Sequence, residues 1–224
     1  MTLHMLRDLQ SLQKKLMEMC AAVEEIVHLA VDGLRNPSKS YQMDLIRRDD
    51  EVDEMDIEIL DSCLKCLALN QPVAADLRRI VMIMKISNEL ERVADLAINL
   101  SERAEEMSKL GQAINVGQQL TTMADSATEM LRNSINSYVE EDDELARKVC
   151  GDDDYVDQLN KEIIDSVTQE IRANPDNVDT CMHLFSASRH IERIGDHATN
   201  IAEEVIYMIT GEILRNRQTA EPSN

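Results

Sequence analysis

Two segments of the chain repeat one arrangement of polar side chains. Glu91-Arg92-Val93-Ala94-Asp95 continues to Asn99, and Glu192-Arg193-Ile194-Gly195-Asp196 continues to Asn200, so both read Glu-x3-Asp-x3-Asn. A spacing of four places the three side chains on one face of a helix. Two carboxylates held that close repel each other, and they need a compensating charge from a bound cation or from arginine.

A second pair of acids precedes each segment: Asp49 and Asp53 in Arg48-Asp49-Asp50-Glu51-Val52-Asp53, and Asp153 and Asp157 in Asp152-Asp153-Asp154-Tyr155-Val156-Asp157. All these acids lie beside the apolar seam of their helix, next to residues such as Val52, Leu90, Val156 and Ile191. At about 100° per residue they sit on the shoulder of the packing face, where two antiparallel helices bring two pairs together. Asp49, Asp53, Glu91 and Asp95 form one expected metal-binding set, and Asp153, Asp157, Glu192 and Asp196 form the other. Four carboxylates make an all-oxygen site for hard or borderline cations, and iron, manganese, magnesium, zinc and calcium are all chemically admissible. The competing reading pairs the same acids with Arg92, Arg189 and Arg193 on a solvated face. Recurrence of two separate acid pairs in both halves favours metal.

Catalysis has less support. A carboxylate-bridged di-iron enzyme normally carries two Glu-x-x-His motifs on facing helices. Only Glu25-Ile26-Val27-His28 has that spacing, and the corresponding region near Glu129 to Asn133 has no histidine. Glu24, His28 and Asp32, four apart, read as helix-edge residues. His197 is placed to join the second set at its edge, and His183 and His190 read as packing or surface residues. No Gly-rich phosphate loop or strand-to-helix nucleophile elbow is present. No catalytic residue and no organic cofactor are therefore expected, with a metal-binding carboxylate-bundle enzyme of the oxidase or hydrolase kind as the alternative.

The elements that must position these acids follow from the punctuation by Pro and Gly. It cuts the chain into six long pieces, roughly 2–36, 38–71, 72–110, 118–150, 152–174 and 175–211. Apolar residues recur at three-four spacing in Ile86, Leu90, Val93, Ala97, Leu100 and Ala104, and again in Ala187, Ile191, Ile194, Ala198, Ile201 and Val205. That period is helical, and strand-like alternation is nowhere sustained. Asp53, Asp61 and Ser62 are echoed at a constant offset of 104 by Asp157, Asp165 and Ser166, and Pro72 and Pro175 open the next helix in each half. The predicted fold is all-α: two tandem three-helix bundles of long antiparallel helices. Their expected bounds are 1–112 and 113–216, divided in the loop Gly111 to Gly117, with 217–224 a disordered tail.

Bulk composition agrees. With 43% apolar but only 2% aromatic residues and no tryptophan, the core must be aliphatic. A formal charge of −20 argues against direct nucleic-acid binding, which is driven by neutralisation of phosphates by Lys and Arg. Apolar runs such as Ile80 to Met84 are far too short to span a bilayer, so a soluble, cytoplasmic protein is expected. Five cysteines scattered through helical sequence suit a reducing compartment. Cys63-Leu64-Lys65-Cys66 has the spacing of zinc and redox sites, but without a second such pair it reads as core packing. The acidic tract Glu140 to Glu144 reads as a solvated helix end, since acids are favoured where the next helix begins.

Gln71-Pro72-Val73-Ala74-Ala75-Asp76-Leu77-Arg78 with Ile83-Met84-Lys85, the two Glu-Arg-x-x-Asp segments, and Asn200-Ile201 before Tyr207-Met208-Ile209-Thr210-Gly211 closely resemble the PhoU family. The resemblance runs over nearly the whole chain. It implies bundles related by a pseudo-twofold axis, and metal ions, including multinuclear clusters, on the eight acids named above. Ala94 standing where the second segment has Gly195 implies closer crowding of helices in the first bundle. The family's role is regulation of phosphate uptake and of phosphate-starvation signalling. The implied activity is that of a non-enzymatic cytoplasmic adaptor between the phosphate ABC transporter's ATPase subunit and a sensor histidine kinase, restraining the phosphate regulon when phosphate is plentiful. Recruitment to the inner membrane would come through these partners, and a homodimer is the expected assembly.

Overall fold

A computed structural model describes residues 3–36, 41–110 and 117–213. Those residues form six long helices and no strand: α1 Leu3–Arg35, α2 Gln42–Asn70, α3 Ala74–Leu110, α4 Gly117–Glu140, α5 Asp143–Ala173 and α6 Val178–Thr210, with one 3-10 turn at Pro175–Asn177. At 1.5 Å per residue α3 extends about 55 Å. The expected boundary within 111–117 and the expected tail at 217–224 fall in or at the edge of segments outside the described residues.

The first three helices pack as one bundle and the last three as another. Within the first, Asp8 meets Asn70, Lys15 meets Glu58 and Ser62, and Glu25 meets Arg48, so α1 and α2 run antiparallel. Equivalent helices also meet across the halves. Arg35 pairs with Asp125 and Glu24 lies 3.9 Å from Arg132, which sets α1 antiparallel to α4. Lys85 pairs with Glu204 and Glu89 with His197, which sets α3 antiparallel to α6. Helices that each pair with their own counterpart head to tail are what a twofold axis between the bundles requires.

Burial explains why these helices hold. The α3 seam Ile86, Leu90, Val93, Ala97 and Leu100 and the α6 seam Ala187, Ile191, Ile194, Ala198, Ile201 and Val205 are all buried. They join α1, α2, α4 and α5 in one aliphatic cluster that runs through both halves. Methionines such as Met19, Met82 and Met123 fill it where an aromatic ring would otherwise sit, and the single phenylalanine, Phe185, is partly exposed. Cys20 and Cys63 lie in this core, where burial pushes both thiols up to about 12, so they pack rather than react. All five cysteines are free.

One helix break differs from the sequence expectation. The fourth piece does not run to Cys150 and stop at Gly151. Instead α4 ends at Glu140, Glu141 adopts a left-handed φ of 51°, and Asp142 caps α5 by accepting from the Glu144 and Leu145 amides at 3.0 Å. Gly151 lies inside α5, and a Cβ there would meet nothing within 4 Å. Tertiary packing carries the helix through glycine, and the Asp142 cap with Asp143 and Glu144 in the first turn starts it. At the other end, α6 stops at Gly211, whose φ of 75° suits glycine and whose N–H bonds Tyr207 O at 2.9 Å.

Candidate metal centres

Val52 and Val156, both buried, fix the rotation of α2 and α5 so that Asp49 and Asp153 emerge at the edge of the core. Leu90 and Ile191 do the same for Glu91 on α3 and Glu192 on α6. Asp49, Asp53, Glu91 and Asp95 then share the α2/α3 edge, and Asp153, Asp157, Glu192 and Asp196 share the α5/α6 edge.

Burial and repulsion between carboxylates raise three of the four acids in each set. Partial burial, then repulsion from Asp95 and Asp53, pushes Asp49 up to about 6. Burial, Asp196 and Asp157 do the same to Asp153, which also reaches about 6 although the Thr199 hydroxyl opposes the shift. Asp53 and Glu91 are raised by burial and then by Asp95. Glu192 is raised by burial and by Asp196, and Asp196 by burial and by Asp157. Every shift has the sign of a carboxylate crowded by others in poor contact with water.

Arginine compensates these charges unevenly. Arg189 binds Glu192 at 2.7 Å and Lys161 lies 4.0 Å from Asp157 in the second set. Arg92 turns instead to Asn88 at 3.3 Å, and the first set has no ion pair among the described residues. In each set one carboxylate oxygen is out of water and without a hydrogen-bond partner, Asp49 Oδ1 and Glu192 Oε2. An all-oxygen donor set with an orphaned anionic oxygen fits a hard cation in kind. The side chains do not converge on one point, however: among the described residues no three His, Cys, Asp or Glu side chains gather in a ligating cluster.

The other polar residues singled out by the sequence have different roles. Asn99 donates back to Asp95 O at 2.7 Å, along its own helix. His197 does not turn to Asp196. Its Nδ1 lies 2.6 Å from Glu89 Oε2, which also accepts from Asn200 at 3.0 Å, and the three tie α6 to α3. Burial would raise Glu89, but these hydrogen bonds outweigh it and hold the carboxyl below its usual range. His28 is exposed, and Glu25 beside it is bound to Arg48. A methyl group built on Gly195 would meet Val156, Asp153 and Met130 at 3.5–3.8 Å, ordinary contact distances, so the second bundle has room for the alanine that the first carries at position 94.

Fold and site together define a tandem three-helix-bundle protein with a duplicated carboxylate edge. The PhoU domain family matches residues 16–104 and 120–205, and the chain belongs to the PhoU family. It is similar to the phosphate-specific transport system accessory protein PhoU homolog of Aquifex aeolicus, 33% identical over 96% of this chain and 97% of that one. It is also similar to PhoU homolog 1 of Thermotoga maritima, 30% identical over 95% and 91%. The crystal structure of PhoU from Pseudomonas aeruginosa superposes with a TM-score of 0.89 at 29% identity, over 92% of this chain and 99% of that one. The phosphate transport system regulatory protein PhoU from Streptococcus pneumoniae, at 22% identity and a TM-score of 0.87, shares the fold.

Proposed function

We propose that this chain is an accessory regulator of phosphate-specific transport, a non-enzymatic adaptor between the transporter's ATPase subunit and a sensor histidine kinase that restrains the phosphate regulon when phosphate is plentiful. Membership of the PhoU family in both halves, among relatives named as transport accessory proteins rather than enzymes, carries this reading. Long helices with charged outer faces suit an adaptor, and no helix among the described residues is long and apolar enough to cross a membrane. Such a protein would act at the cytoplasmic face of the inner membrane through its partners.

The eight acids would hold divalent or trivalent ions, one group on Asp49, Asp53, Glu91 and Asp95 and the other on Asp153, Asp157, Glu192 and Asp196. A bound cation would cancel the repulsion within each set and change the charge presented to partners. Deleting the gene and measuring phosphate-responsive transcription tests the main reading. Repression at high phosphate should be lost without the gene, and unchanged repression would sink the assignment.

A further inference from the structure

The duplication makes each half a control for the other, and the solvent faces of α2 and α5 differ. Met43, Ile46, Ile57, Leu60 and Leu64 of α2 are 41–87% exposed. Their counterparts on α5, at the offset of 104, are Arg147, Cys150, Lys161, Ile164 and Thr168, and only the half-buried Cys150 and Ile164 are apolar. The α2 helix already packs into the core through Leu45, Val52, Ile59, Cys63 and Cys66. Its exposed apolar residues are therefore a second, unpartnered seam.

With Asp50 and Asp53 included, this seam steps through positions 43, 46, 50, 53, 57, 60 and 64. The alternation of three and four is the a/d register of a coiled coil. Apolar layers stand at both ends, with two exposed carboxylates at the centre. Flanking cations do not neutralise them, because Arg47 is bound to Asp44 and Glu51, and Lys65 to Asp61, in the same helix. Asp50 and Asp53 have no ion pair among the described residues. A second copy of α2, laid antiparallel about the point midway between Asp50 and Asp53, would set Asp50 against Asp53 twice; laid parallel in register, it would set each acid against itself. Both arrangements bury like charges, so self-pairing is disfavoured and a cationic partner is favoured.

We propose that the outward face of α2 is a docking seam for a partner's amphipathic helix, with apolar heptad residues against its two ends and Lys or Arg against Asp50 and, in the cation-free protein, Asp53. This deepens the adaptor reading by giving the chemistry of one partner contact. The α5 face, interrupted by Arg147, Lys161 and Thr168 at the same positions, does not share it.

Two synthetic helical peptides of roughly four heptads test the proposal, identical except for Lys or Glu in the two central layers. Their binding to the full chain is followed by fluorescence anisotropy. The lysine peptide should bind about tenfold or more tightly than the glutamate peptide. Ile57→Glu with Leu64→Glu should abolish that binding while leaving the thermal unfolding midpoint in place, because both residues are exposed. Asp50→Lys, outside the carboxylate sets, should shift preference toward the glutamate peptide. Binding of neither peptide, equal binding of both, or binding unchanged by Ile57→Glu with Leu64→Glu would overturn the seam. So would sedimentation showing a dimer that this double variant dissociates, since a second copy would then be the occupant. Failure of the peptide assay in a protein whose deletion still abolishes phosphate repression would sink the seam alone, whereas intact repression after deletion would sink the adaptor reading alone.

Discussion

Asp49 and Asp153 lie at equivalent places in the two halves and are raised to the same value, about 6, by the same causes: burial, then neighbouring carboxylates. An acid whose pKa is higher folded than unfolded favours the folded state when protonated. That contribution is fully present below the unfolded value near 4 and is lost as pH rises through about 6. Cation-free protein should therefore unfold at a higher temperature at pH 5 than at pH 7.5. Asp49→Asn and Asp153→Asn should each stabilise it at pH 7.5, by about 1 kcal/mol once solvent screening is discounted, or ~2–4 °C in melting temperature. Added Mn2+ or Mg2+ favours the ionised form, so it should raise the midpoint of the parent at pH 7.5 and do less at pH 5. Both Asn variants should lose much of that gain. Thermal melts across pH, with and without cation, check all three outcomes, and a flat profile would show that the carboxylates of each set do not interact.

Element by element, the sequence exposes what short-range rules control. The α3 and α6 seams repeat at helical period because each helix buries one stripe, and all their named positions are buried. The acid pairs were legible for the same reason, since four-residue spacing fixes a shared face whatever the partner. What Gly151 does was not legible: glycine punctuates a chain only when nothing else sustains the helix, and packing of Val149, Val156 and Leu159 sustains α5 through it. The true break has no Pro or Gly, only the Asp142-Asp143-Glu144 cap. Asp142→Ala should cost about 1 kcal/mol by leaving two amides unpaired, whereas Gly151→Ala should gain about 0.5–1 kcal/mol by removing glycine from a helix interior with room for a methyl group. Urea unfolding of both variants checks this, and destabilisation by Gly151→Ala would restore the break to position 151.

Across the whole molecule, contacts between the halves matter as much as contacts within them, and sequence periodicity could not show this. Glu89 and His197 are 108 residues apart, and nothing in the spacing of either pairs them; the fold does so by laying α3 antiparallel to α6. Around that bond, Lys85 meets Glu204, and one continuous aliphatic cluster extends from α1 to α6. A core shared in this way couples the stability of the two bundles. The chain should then unfold in one calorimetric transition rather than two, despite its duplication. Glu89→Ala removes the carboxylate that accepts from both His197 and Asn200, in a contact that is mostly out of water, and should cost about 1–2 kcal/mol. The loss should appear as a downward shift of the whole transition by several degrees. Two resolved peaks in the parent, or a shift confined to one of two peaks in Glu89→Ala, would mean that the bundles fold independently and that the α3 to α6 contact only docks them.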